Sequence, residues 1–363
     1  QSFLERGADY TLTPRSAMLR LATRVPGLSN PPSMRKIYRP GATEPDRMTD
    51  ARRRVLETFQ SYGGLAFTLK ELADMAGVST SVIKGMVALG AVQEEDALRD
   101  LPFQPLEADH SQTTLTPAQG KAASALIAGL KQQNYGTTLL KGVTGSGKTE
   151  VYLEAVSECL RQGRQALVLL PEIALTAEFL NRVEARFGAF PAEWHSGVTL
   201  TERRRVWKMV GAGGAQMVIG ARSALFLPYQ NLGLIVVDEE HDSSYKQEDG
   251  VLYHARDMAV LRASICGARV VLASATPSLE SWANAEAGKY QYLELAARFG
   301  AAVMPKLGAI DMRGESLPAG RWISHTLQKA IERRLRAGEQ SLLFINRRGY
   351  APVTLCRACG HQI

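Results

Sequence analysis

Cysteine is scarce in this sequence: there are four in 363 residues, and two of them, Cys159 and Cys266, stand singly within apolar patterns. That excludes a small disulfide-framed domain, which makes up for a thin core with dense bridges, and both residues read as buried thiols. Long hydrophobic runs are missing as well. The best candidate, Ala166-Leu-Val-Leu-Leu170, is stopped by Pro171-Glu172 and falls far short of the roughly 20 apolar residues that a membrane-spanning helix needs. The opening QSFLERGADY holds neither a Met nor an apolar stretch, so no signal peptide reads there and a cytoplasmic protein is expected. No internal repeat and no low-complexity tract interrupts the chain. Acidic residues are outnumbered, 36 against 43 basic ones, for a net charge of +7. The excess favours an anionic partner without choosing between nucleic acid, membrane surface and nucleotide.

What is present begins with an ordinary composition, 45% hydrophobic and 22% charged, and a length that suggests roughly two or three domains. The most informative stretch is Lys141 to Glu150, KGVTGSGKTE, which holds the spacing G-x-x-x-x-G-K-T from Gly142 to Thr149. An apolar strand pattern, Thr137-Thr-Leu-Leu140, precedes it, and an amphipathic helix pattern, Glu150 to Leu160, follows. That is the context a phosphate-binding loop requires. Gly142, Gly145 and Gly147 let the chain turn tightly, so that the backbone N–H groups of Val143, Thr144 and Ser146 and the positive end of the following helix face a triphosphate. Lys148 is expected to reach the β and γ phosphates, and Thr149 to hold Mg²⁺.

The rest of the chain divides by pattern. Residues 1 to 45 mix one short helical pattern, Ser16 to Ala22, with breakers at Pro26, Gly27, Pro31, Pro32, Pro40 and Gly41, and read as a connector. From 46 to 98, helical patterns over 52–59, 68–76 and 82–89, with a Gly77-Val78-Ser79 turn before the last, outline a winged-helix-like domain. Its Lys70 and Lys84 are few for reading DNA, so a small protein-docking bundle fits as well. A polar linker covers 99–114. From 115, where Thr116 and Pro117 open a helix, to about 300, short apolar runs at 137–141, 166–170, 216–220, 234–238 and 270–274 alternate with helical or loop stretches. Uninterrupted apolar runs imply strands buried on both faces, hence an α/β fold with a doubly wound parallel sheet.

One of those runs, Leu234-Ile-Val-Val237, leads into Asp238-Glu239-Glu240-His241. Carboxylates at the carboxyl end of a buried parallel strand stand where such sheets bind ligands. Asp238 is expected to contact Mg²⁺, and Glu239 to orient and deprotonate an attacking water. By itself the tetrapeptide is as readily a solvated acidic turn; downstream of a phosphate loop it reads as the second half of a nucleotide site.

Taken together, GVTGSGKTE, DEEHDSSYKQEDG, SATPS and NRRGY, with LTPAQ at 115–119, PEIALT at 171–176, HSG at 195–197 and GARSALFLP at 220–228, resemble the primosomal replication-restart helicases, a branch of the superfamily-two DNA helicases. The resemblance is dense from 115 to 361 and weaker before. It implies a RecA-like lobe over 115–300 and the start of a second lobe over 301–355. It also implies ATP-dependent 3′→5′ unwinding of DNA at stalled or abandoned forks, with reloading of the replicative helicase. ATP and Mg²⁺ are the implied cofactors. Forked and single-stranded DNA, primosome proteins, single-strand-binding protein and the helicase loader are the implied partners.

Residue by residue, the resemblance assigns Gln119 to the adenine and Glu150 to the nucleotide site. Arg222 and Ser223 fall to a DNA-strand groove, although Arg222 reads equally as a surface salt bridge, and His241, Ser274 and Thr276 to the coupling of nucleotide and DNA. The loop from Asp242 to Asp257 carries Tyr245, Lys246, Tyr253, His254 and Arg256. Rings that stack on unpaired bases and cations that hold phosphates would make it a DNA sensor; tyrosines covering a sheet edge are the plainer reading.

Cys356-Arg-Ala-Cys359-Gly-His361 has zinc-knuckle spacing. A structural zinc needs four ligands, so Cys356 and Cys359 read as part of a site completed elsewhere in the family, with weak zinc binding by these residues alone. In the second lobe, Gln340 to Ile345 reads as the first strand and Asn346 to Gly349 as a turn, with no later G-R-A-G-R segment to supply an arginine to the phosphate. The chain is therefore expected to be a fragment with weak turnover. Two other readings stand beside this one, a double-strand DNA translocase subunit and a non-catalytic scaffold that docks at forks.

Overall fold

A computed structural model of the chain describes residues 2–28, 34–45, 47–98, 102–171, 174, 176–297, 306–314 and 323–344. Two compact units separate, residues 1–301 and residues 302–363.

The first unit opens with helices α1 (Ser2–Tyr10) and α2 (Arg15–Ala22), followed by strand β1 (Met34–Pro40), helices α3 (Asp50–Ser61), α4 (Leu69–Ala76) and α5 (Thr80–Ala88), and strand β2 (Val92–Leu98). Residues 1–45 are therefore more than the connector expected from their prolines. Phe3, Ala8 and Met18 are buried in the main core, and β1 pairs antiparallel with β2 from Met34↔Leu98 to Pro40↔Val92. The winged-helix-like part thus begins at β1, before 46. Its signal was charge: Lys36 pairs with Glu94, and Arg39 lies 3.1 Å from Glu95, the cross-strand complementarity that fixes a register even where exposed pairs add little stability. Behind the ribbon, Tyr38, Val55, Phe59, Leu72, Ile83 and Met86 form a separate small core. A reciprocal cap starts α4, Thr68 accepting from Glu71 N while Glu71 accepts from Thr68 N, and left-handed Gly77 ends it, the pattern that isolates short helices.

The main domain runs α6 (Pro117–Lys131), β3 (Gly136–Gly142), α7 (Lys148–Arg161), β4 (Gln165–Leu169), α8 (Ala177–Phe187), β5 (Ala192–Trp194), α9 (Leu200–Gly211), β6 (Met217–Gly220), β7 (Leu232–Asp238), the short pair β8 (Lys246–Gln247) and β9 (Tyr253–His254), α10 (Ala255–Cys266), β10 (Arg269–Ser274), α11 (Leu279–Glu286) and β11 (Gln291–Leu295). Seven strands make one sheet in the order β11-β3-β10-β7-β4-β6-β5, with every pairing parallel. The five expected strands form its centre. Sequence pattern missed the two edges, β5 with three residues and β11 with its largely exposed QYLEL.

Successive strand residues face opposite layers. Leu139, Leu167, Ile235, Val237, Val270 and Leu272 meet α1, α2, α9 and α10, whereas Leu140, Val168, Leu234, Val236, Val271 and Ala273 meet α6, α7 and α8. This is the doubly wound, RecA-like arrangement. Cys159, on α7, is buried, and burial pushes its thiol up to about 12; Cys266 is exposed at the end of α10, correcting the expectation that both are buried. Native protein is accordingly expected to alkylate at Cys266 far faster than at Cys159 at about pH 8, because only thiolates react and Cys266, though burial raises its thiol too, is the one that the reagent reaches. Peptide mass spectrometry after iodoacetamide would show this, and equal labelling would contradict it.

In the second unit, helix α12 (His325–Arg336) is capped by Ser324, which accepts from Leu327 N. The described part of the strand expected at 340–345, residues 340–344, has no ladder. Ile345, Asn346 to Gly349, Cys356, Cys359 and His361 lie outside the described residues. Among the described residues no helix is long and apolar enough to cross a membrane, and no cluster of three or more His, Cys, Asp or Glu side chains could hold a metal.

Candidate nucleotide site

At the carboxyl end of β3 the chain turns through Val143 to Gly147 and enters α7. Gly145 and Gly147 have φ of 78° and 81°, values that favour glycine because a side chain there strains the backbone. Space also demands glycine: a Cβ on Gly147 would come within 2.2 Å of Gln119 Nε2, and one on Gly142 within 2.4 Å of Ser146 Oγ. The Ser146 hydroxyl is buried without a hydrogen-bond partner. An orphaned donor beneath a loop at a helix N-terminus is a feature that a phosphate oxygen would satisfy. Lys148 is 8% exposed and donates to Gly142 O at 2.9 Å.

Gln119 reaches the same loop from α6. Its Oε1 accepts from Thr116 N at 2.8 Å and its Nε2 donates to Ser146 O at 2.9 Å. The side chain expected to read adenine is thus also the cap of its own helix and a brace for the phosphate loop. The loop, Gln119, Thr149, Glu150, Asp238 and Glu239 line a cleft of about 450 Å³. Thr113, Thr114 and Arg182 join them, and Arg182 lies 3.4 Å from Glu150. Sequence reading missed these three because the threonines sit in a plain linker and Arg182 on a polar helix face.

Asp238 closes the floor of the cleft. Its Oδ2 accepts from the Tyr152 hydroxyl and its Oδ1 from Glu239 N, both at 2.9 Å. Burial raises the Asp238 carboxyl above its ordinary range, and the Tyr152 hydrogen bond opposes that rise. Tyr152 itself is fully buried, which holds its phenol far above the usual range and keeps it a donor. Glu239 adopts φ of 46°, a left-handed conformation rare outside glycine and concentrated at functional turns.

Because β10 lies between β3 and β7, Ser274 at its end separates the phosphate loop from the acidic turn. Ser274 Oγ shares a 2.8 Å hydrogen bond with His241 Nδ1 and accepts from Thr276 N at 3.0 Å, while His241 Nδ1 stands 3.7 Å from Glu239. The four residues form one continuous chain. Glu240, read only as part of an acidic turn, proves to be an internal anchor. Fully buried, it accepts from Ser278 N, Ser278 Oγ, Ser281 Oγ and Arg256.

The loop after the acidic turn corrects three expectations. Tyr245 is 1% exposed, its hydroxyl donating to Leu169 O and Asp238 O. Tyr253 is buried edge-on against Phe226. Neither ring can stack on a base as placed. Arg256 is buried among Glu240, Asp257 and Ser278, so it cannot hold a phosphate. Tyr245 stands in a 3-10 turn before β8, Tyr253 in β9 and Arg256 in the first turn of α10, and each of these elements turns its side chain inward. Lys246 stays exposed, paired with Glu248, and His254 is half-buried, with burial and then Arg256 pulling its imidazole pKa down. Arg222 donates to Ser244 O and Lys246 O, both at 2.9 Å, and so ties the groove segment to this loop; Ser223 Oγ accepts from Trp194 Nε1.

Residues 116–285 match the DEAD/DEAH box helicase family. Among curated proteins the chain is similar to those called replication restart protein PriA: 49% identical to that of Rickettsia felis over 62% of this chain and 35% of that protein, 40% to that of Bacillus subtilis over 82% and 37%, and 41% to that of Synechocystis over 87% and 38%. The chain therefore spans well under half the length of these relatives. The lobe that carries the phosphate loop is thus similar to the DEAD/DEAH box helicases, and the chain to part of the proteins called replication restart protein PriA.

Proposed function

We propose that this chain carries the nucleotide-hydrolysing lobe of an ATP-dependent 3′→5′ DNA helicase that acts at stalled or abandoned replication forks. The observation that carries the proposal is the convergence of the phosphate loop, with its orphaned Ser146 hydroxyl, and the Asp238–Glu239 pair on one cleft. Amides of residues 143 to 147 and Lys148 hold phosphate oxygens, with Lys148 leaving Gly142 O to do so. Thr149 and Asp238 would hold Mg²⁺, which when bound neutralises charge on the phosphates. Glu239 accepts a proton from water. His241, Ser274 and Thr276 transmit the state of this cleft toward the DNA side.

The same reading takes forked and single-stranded DNA as substrates, and primosome proteins, single-strand-binding protein and the loader of the replicative helicase as partners. Arg222, Lys246 and His254 remain the candidates on the DNA side. Zinc at Cys356 and Cys359 is no part of the reading.

Steady-state ATP hydrolysis by the 363-residue chain, with and without forked DNA and beside nucleotide affinity, tests it. Mg·ATP is expected to bind, with weak turnover, because an arginine acting on the phosphate contributes about 10³ to 10⁵ in related phosphoryl-transfer systems. Strong DNA-stimulated turnover would contradict the weak-turnover expectation, and absence of nucleotide binding would remove the proposal itself.

A further inference from the structure

On the reading of the cleft as a Mg·nucleotide site, we propose that Tyr152 is the positioning residue of its metal side, a buried hydroxyl that fixes the orientation of the Asp238 carboxylate opposite Thr149. Thr149 and Tyr152 are three residues apart in the first turn of α7, so they rise on the same helix face. The Tyr152 hydroxyl donates to Asp238 Oδ2 at 2.9 Å across the gap between α7 and the end of β7. Thr149 thus lies on the same side of α7 as the hydroxyl that fixes Asp238. One phenol on α7 therefore holds a carboxylate that lies 86 residues further along the chain.

The geometry leaves little for the phenol to do but position. It is fully buried and does not line the cleft, so it touches neither nucleotide nor water directly. With Glu239 N on Oδ1 and Tyr152 on Oδ2, each carboxylate oxygen of Asp238 has one donor from the protein and keeps further acceptor capacity for a cation. The carboxylate plane is then set before any ligand arrives. Partners of this kind orient metal-binding groups, and their loss typically costs about 10- to 100-fold in metal affinity. The phosphate loop itself is untouched by the pair, since Ser146 is braced by Gln119 and Lys148 by Gly142.

The test is Tyr152→Phe, read by equilibrium binding of fluorescent N-methylanthraniloyl-ADP to the full chain with Mg²⁺ and with EDTA. The tightening that Mg²⁺ gives is expected to shrink by about tenfold or more, while affinity in EDTA stays within about twofold of wild type. Equal losses in both conditions would make Tyr152 a structural residue only and overturn the proposal, as would an unchanged Mg²⁺ response. Should Tyr152→Phe fail to fold, the comparison moves to Asp238→Asn with and without Tyr152→Phe, where no buried charge is stranded. No further fall in the Mg²⁺ response of the double variant supports action through Asp238, and a further fall overturns it. A wild-type chain with nucleotide binding but no Mg²⁺ response would remove the reading of the cleft on which the inference rests, an outcome distinct from a failure of the Tyr152 variants alone.

Discussion

Glu240→Ala is expected to lower the melting midpoint of the chain by about 10 °C, corresponding to a loss of about 3 to 5 kcal/mol in a domain of this size. Glu240 has no exposure, and its carboxylate accepts from Ser278 N at 2.7 Å, Ser281 Oγ at 2.9 Å, Ser278 Oγ at 3.0 Å and Arg256 Nη1 at 3.3 Å. Truncation strands several donors without water and leaves a buried guanidinium to Asp257 and Glu280. Unmet buried donors cost more than the hydrogen bonds contribute when made. Glu240→Gln, which keeps an acceptor, is expected to fall between the two. A thermal melt followed by far-ultraviolet circular dichroism reads all three, and a midpoint for Glu240→Ala within about 2 °C of wild type would show that the network relaxes instead of breaking.

The second large effect belongs to Lys148→Ala, for which ATP affinity is expected to fall by about 10²-fold with little change in melting. Hydrogen bonds made by a charged donor contribute about 1.5 to 3 kcal/mol each, and about 1.4 kcal/mol is a factor of ten in affinity. Stability is largely spared because the side chain's hydrogen bond in the structure is a single one, to Gly142 O, and Lys148 itself lines the cleft. Calorimetric titration with ATP and Mg²⁺ decides it: wild-type affinity in the variant would mean that nucleotide does not occupy the phosphate loop. The pair of predictions separates two kinds of buried charge. Glu240 is spent inside the protein, whereas Lys148, on the proposed reading, is kept for a ligand.

Those two residues also show where sequence reasoning reached and where it stopped. G-x-x-x-x-G-K-T declares its role because the backbone geometry of a phosphate loop restricts residue type at fixed spacing, and the structure supplies the restriction in Gly142 and Gly147. Glu240 carries no such mark. It adjoins Glu239 in sequence, yet it faces inward while Glu239 lines the cleft, because the left-handed turn at Glu239 reverses the chain between them. The aromatic loop failed for the same kind of reason. Tyr245, Tyr253 and Arg256 have the composition of a nucleic-acid surface, but side-chain type does not say which face of a turn, a short strand or a helix is covered.

By itself the sequence determined the phosphate loop, the acidic turn, the five central strands and the two-faced burial that makes the sheet parallel, since each follows from local spacing and apolar period. It also carried the resemblance to the replication-restart helicases, through motifs dense enough to be read in order. The tertiary structure alone decided the strand order, which sets Ser274 between the loop and the acidic turn, and with it the chain from Glu239 through His241 to Thr276. It alone decided that Tyr152 meets Asp238 and that Glu240 meets Arg256. Such contacts join elements distant in the chain, and whether a polar side chain is spent in the core or left for a ligand depends on packing that no local pattern encodes.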